Sequence, residues 1–176
     1  TSTDFVTPTS LGYASAAANK RIQSESNGTG IKIAARAFVG AGLQNCATGV
    51  TAAVGAGVFN VASGNRSFVG GGISNTASGS YVATIGGGNT NTASGTASKV
   101  GGGQSNTASG ACSAIGGGQS NTASNNGSSI GGGQANFVSG QNSFVGGGYN
   151  NISSNNSSIT SRTSSTSSNN SSVFVS

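Results

Sequence analysis

The side chains able to do covalent or acid–base chemistry are few and scattered. The chain of 176 residues has no histidine, two acids and two cysteines. A nucleophilic triad needs a base, and histidine is the usual one. The acids, Asp4 and Glu25, both precede the repetitive part of the chain, so no paired-carboxylate glycosidase centre is expected. Calcium-binding rolls need Asp in every turn, and the repeat described below contains none. Cys46 and Cys112 fall at different repeat positions. At the spacing of neighbouring strands they lie roughly 20 Å apart, beyond the reach of a disulfide. The Gly-Gly-Gly blocks do not run on into Gly-Lys-Ser/Thr as a phosphate loop does. The sequence therefore predicts no catalytic residue, no metal ligand and no cofactor. The chemistry left is hydrogen bonding by amides and hydroxyls, which recur at fixed spacing.

Charge narrows the partners. Charged residues make up 5% of the chain and the net charge is +5. Lys20, Arg21, Lys32 and Arg36 share the first 36 residues with both acids, and only Arg66, Lys99 and Arg162 follow. Nucleic-acid surfaces need clustered Lys and Arg, so no nucleic-acid partner is expected. No run of about 18 apolar residues occurs, so no membrane insertion is expected either. Low charge argues against an open, disordered chain. Few large apolar side chains argue against an ordinary globular core. Asn-x-Ser/Thr sequons, including Asn27-Gly28-Thr29, Asn65-Arg66-Ser67 and Asn126-Gly127-Ser128, leave glycosylation open.

The elements that position these groups are written as a repeat. Glycine-rich blocks open at Gly40, Gly55, Gly70, Gly86, Gly101, Gly116, Gly131 and Gly146, a constant step of 15 broken by a single step of 16. The extra residue falls in Ser80-Tyr81-Val82-Ala83, where a surface turn absorbs it. Each unit reads Val/Ile-Gly-Gly-Gly-x-x-Asn-Thr-Ala-Ser-Gly-x-x-Ser-x. Its apolar position holds Val39, Val54, Val69, Ile85, Val100, Ile115, Ile130 and Val145, the predicted core. Its Asn position holds Asn45, Asn60, Asn75, Asn91, Asn106, Asn121, Asn136 and Asn151 without variation.

A unit this short suits one coil of a parallel β-solenoid. Two strand-like pieces per unit, such as Ser98-Lys99-Val100 and Asn106-Thr107-Ala108-Ser109, are separated by glycines, which supply turns and close backbone approach. Helix is disfavoured, because glycine costs about 1 kcal/mol per residue in a helix interior. Strand alternation turns Ser98 and Val100 inward with Lys99 outward. It also pairs Asn with Ala on one face and Thr with Ser on the other. Identical Asn side chains stacked coil on coil can form an amide ladder, which is the predicted role of the eight asparagines. Eight coils give a rod of roughly 40 Å.

The predicted organisation has three parts. Residues 1–36 form a cap or connector, which solenoids need over an open end. Residues 37–154 form the regular coils. Residues 155–176 form degenerate coils or a Ser/Asn-rich linker; Ser158-Ile159 and Ser172-Val173 echo Ser143-Phe144-Val145 without a glycine block.

The alternation Ala-Ser-Gly-x-x-Ser-x-Val-Gly resembles the head repeat of YadA-like trimeric autotransporter adhesins. Related glycine-rich repeats occur in phage and viral fibres. The resemblance spans roughly Ala37 to Ser154. It implies an all-β, left-handed β-roll, a homotrimer, and attachment to a host receptor, glycan or matrix from a cell or virion surface, outside the cell. The length of the unit and its Gly-Gly-Gly block depart from the adhesin pattern. Units such as Ser105-Asn106-Thr107-Ala108-Ser109-Gly110 also resemble the half-coils of grass ice-binding proteins, which implies a water-ordering array of Thr76/Ser78, Thr92/Ser94, Thr107/Ser109 and Thr122/Ser124. The Thr position becomes Cys46, Val61, Phe137 and Ile152 toward the ends, and large apolar residues there suit a face buried against another chain. Residues that break the pattern are the candidate contacts: Arg66, Tyr81, Lys99, Phe137 and Tyr149. An attachment fibre, with ice binding as the alternative, is the resulting expectation.

Overall fold

The computed structural model describes residues 32–33, 36–160 and 163–174. Most of the expected cap lies outside the described residues. All regular structure among the described residues is β, and every strand pairing is parallel. The chain winds as a β-solenoid. Strands from alternate halves of each coil stack into two sheets of ten strands each. One sheet runs from Lys32–Ile33 through Thr107–Ala108 to Thr166–Ser167 and is called the Ala sheet. The other runs from Phe38–Val39 through Lys99–Val100 to Ser172–Phe174 and is called the Val sheet.

Strands are only two residues long in the regular coils, because glycine-rich turns flank each one. The backbone bonds nonetheless continue through the turns: Gly101 N donates to Ile115 O at 2.8 Å and Gln104 N to Gly118 O at 2.9 Å. The outward position after the glycine block forms a third line of parallel bridges, Leu43 to Val58 to Ile73 to Asn89 and on through Gln104, Gln119, Gln134 and Tyr149. Sequence reading finds two strand-like pieces per unit and misses this third line. Its side chains face outward and vary from Leu to Gln to Tyr, so the consensus hides it under two unspecified positions.

The register shows how the longer coil is absorbed. Thr107 pairs with Thr122, a step of 15, whereas Thr76 pairs with Thr92 and Val69 with Ile85, steps of 16. Both sheets stay in phase, because the extra residue sits in the corner between Gly79 and Ala83. Toward the C-terminus the step shortens to 14, as in Val145 with Ile159 and Ile159 with Val173. Strands continue through this Ser/Asn-rich region to Phe174.

The interior is thin. Val39, Val54, Val69, Ile85, Val100, Ile115, Ile130 and Val145 are all at most 2% exposed, and they face a column of buried alanines from Ala47 to Ala123. Val138 and then Ser153 and Ser167 continue that column. Ser153 and Ser167 satisfy their hydroxyls with Ser157 O at 2.8 Å and Ser171 O at 3.1 Å. A buried hydroxyl without a partner would cost about 1–3 kcal/mol. Glycine is needed at two of the three block positions. Gly103 has φ of 91°, and a Cβ there would run into the Gly118 carbonyl oxygen. Gly101 has an ordinary φ, but its Cβ would meet the Gly116 carbonyl in the next coil.

Candidate functional surface

The asparagine column lies inside the coil, not on a recognition face. All eight residues, from Asn45 to Asn151, are at most 1% exposed. In Asn106, Nδ2 donates to Gly102 O at 3.0 Å, to Gly118 O at 2.9 Å and to Asn91 Oδ1 at 3.1 Å. Its Oδ1 accepts the Asn121 backbone N–H at 3.0 Å and Asn121 Nδ2 at 3.1 Å. Each amide from Asn60 to Asn136 therefore closes the glycine turn of its own coil and ties that turn to both neighbours. Asn151 ends the ladder, and its Oδ1 accepts from Ser165 N at 2.9 Å. These amides have no capacity left for a ligand.

The outward surface divides along the rod. Between Val82 and Asn136 no large apolar side chain is exposed. Here the Ala sheet presents half-buried Thr92, Thr107 and Thr122 in register, with exposed Ser94, Ser109 and Ser124 beside them. The bridge line presents Asn89, Gln104, Gln119 and Gln134, all exposed. Lys99 is exposed on the Val sheet between Thr84 and Ala114.

Both ends of the rod differ from this. Phe38, Leu43, Phe59, Phe68 and Ile73 are exposed in the first coils. Leu43, Val58 and Ile73 follow one another along the bridge line. In the later coils Phe137 and Ile152 are cross-strand neighbours on the Ala sheet, each 40% exposed. Phe144 stands on the Val sheet and Tyr149 on the bridge line of the same coil. Thus Phe137 and Tyr149 both belong to the later apolar group but occupy different faces.

Arg66 and Tyr81 are brought together by the fold. The Arg66 guanidinium carbon lies 4.9 Å from the centre of the Tyr81 ring, within cation–π range. They occupy the corner that leads from the Ala sheet to the Val sheet, where Asn65 and Tyr81 form a parallel bridge. Lys99 has no such partner among the described residues. Cys46 is half-buried on the Ala sheet and Cys112 is exposed at a corner, both as free thiols. Among the described residues no group of His, Cys, Asp and Glu is placed to hold a metal ion, and no helix is long and apolar enough to cross a membrane.

No protein-family model matches the chain, and no curated protein matches it.

Proposed function

We propose that this chain is a shaft or head segment of a surface-attachment fibre, assembled as three copies side by side on the outside of a cell or virion. The supporting observation is the exposure of large apolar side chains at outward positions near both ends of the rod: Phe38, Phe68 and Ile73 at one, Phe137, Phe144 and Ile152 at the other. Exposed apolar neighbours such as Phe137 and Ile152 favour burial against another surface. A rod whose interior is filled by its own coils has only its outer faces to offer a partner. Binding, not catalysis, is its role. Three copies on one rod raise avidity without requiring a strong single contact.

Molar mass in solution, measured by light scattering during size-exclusion chromatography, tests the assembly. A mass three times that of the 16.7 kDa chain supports it, and a monomer that stays monomeric on concentration removes it. The register of Thr76, Thr92, Thr107 and Thr122 along one sheet favours a second reading, a water-ordering face. Thermal hysteresis of a monomeric preparation would establish that reading, and its absence would dismiss it.

A further inference from the structure

We infer that the corner built from Asn65, Arg66 and Tyr81 is a binding site for an acidic sugar, one bearing a carboxylate or a sulfate. The inference rests on reading the chain as an attachment fibre and names the chemistry it would attach to. Two features coincide at this corner and nowhere else among the described residues. The coil carries its one extra residue here, at Ser80–Val82. The only cation–π pair is here. Val82 takes a left-handed φ of 52°, as the corner residues Thr51, Ala97 and Cys112 do in other coils.

The chemistry of the corner suits an anion carried on a ring. No acidic residue lies among the described residues, so the Arg66 charge has no carboxylate partner there. A guanidinium held over the Tyr81 ring keeps N–H donors that can match a carboxylate or sulfate in a two-point contact. Asn65 is exposed beside it. Its Oδ1 accepts Val50 N at 3.2 Å, and its Nδ2 donates to no group among the described residues, leaving a donor for a sugar hydroxyl. Val50, 54% exposed, and the Tyr81 ring supply apolar surface for the face of a pyranose.

The site is also held in place. Arg66 N donates to Val50 O at 2.8 Å, Val82 N to Asn65 O at 2.8 Å and Ala97 N to Tyr81 O at 2.7 Å. The Ser80 and Thr96 hydroxyls bond each other at 2.7 Å. The backbone under both recognition side chains is thus pinned to the coils on either side, so little ordering is needed on binding. In later coils the same corner carries Ala111 and Cys112, then Asn126 and Gly127, and the cation and the ring are gone.

The test is titration of the full chain with 3′-sialyllactose, a heparin-derived hexasaccharide and neutral lactose, followed by NMR shifts and calorimetry. The expected result is saturable binding of at least one acidic sugar with shifts centred on Asn65, Arg66 and Tyr81, and none with lactose. Arg66→Gln should weaken it about tenfold or more, the usual size of a lost charged hydrogen bond. Arg66→Lys should not restore it, while Lys99→Gln should leave it unchanged. A cooperative thermal transition at the wild-type position verifies that each variant is folded. Preference for sialyllactose would assign a carboxylate ligand, and preference for the heparin fragment a sulfate one. Equal losses from Arg66→Gln and Lys99→Gln, equal binding of lactose, or no binding of either acidic sugar would each overturn the inference. A monomer that binds the sugar would sink the trimer and keep this site. A trimer that adheres to cells but binds neither sugar would sink the site and keep the fibre.

Discussion

The coils over residues 38–81 and those over residues 84–136 have the same inside and different outsides. Asn60 and Asn106 make the same set of bonds: to the carbonyl four residues back, to the glycine carbonyl of the next coil and to the preceding Asn. Val54 and Val100 are buried alike. Outside, the first group carries Phe38, Leu43, Phe59, Phe68 and Ile73, and the second carries Thr92, Lys99, Gln104 and Thr107 at outward positions. Pairing between coils is carried mainly by backbone and inward amides, with few bonds from outward side chains, such as Asn65 Oδ1 accepting from Val50 N. The exterior is therefore largely free to change without disturbing the stack.

The most damaging way to probe this comparison is through the glycine block. Gly103→Ala should cost more than about 3 kcal/mol, from left-handed backbone strain and overpacking together. The equivalent Gly57→Ala, with φ of 103°, should cost the same in a denaturant titration. Gly102→Ala should be neutral or slightly stabilising: its Cβ would come no nearer than 3.8 Å to the Gly87 carbonyl oxygen, and Ala41 and Ala56 already occupy that position.

Next in size is the ladder. Asn60→Ala and Asn106→Ala should each cost about 3 kcal/mol, because each orphans buried partners above and below. A difference greater than about 1 kcal/mol between the two would show that the interiors are not equivalent.

Smaller effects come from the third inward position. The Ser67, Ser98 and Ser113 hydroxyls are buried with no hydrogen-bond partner, and Ala52 and Ala83 fill the same position in other coils. Ser98→Ala should therefore raise stability by about 1 kcal/mol. Ser128→Ala should not, because its hydroxyl donates to Asn125 O at 2.6 Å. Val82→Asn should add about 1 kcal/mol by relieving the left-handed β-branched residue; a loss of stability would mean the corner is packed around that side chain.

The smallest effect on stability, and the sharpest on the comparison, belongs to the outward residues. The double change Phe68→Thr with Ile73→Asn copies the central coils onto the first ones. It should shift the melting of the isolated chain by less than about 0.5 kcal/mol equivalent, yet lower the molar mass seen by light scattering. An unchanged assembly would move the interface to another face.

Much of the interior could be read directly from the residues. The positions of Val100 and Asn106 recur once in every coil, and with strand alternation that places both columns inward. Other features could not be read this way. The third bridge line escaped because Leu43, Asn89 and Tyr149 share a backbone role but no side-chain chemistry. Left-handed turns at Ser105 and Cys112, with φ of 55° each, carry no glycine to announce them. The pairing of Arg66 with Tyr81 joins residues a full coil apart, and neither position is informative by itself.

The sequence by itself determined the coil, its length, its inward columns and the parallel stacking. A short period leaves one way to bury Val, Ala and Asn while pairing every backbone. The tertiary structure alone decided which outward residues become neighbours. Coil stacking sets side chains from successive coils beside one another, and the register between them depends on where each corner absorbs or drops a residue.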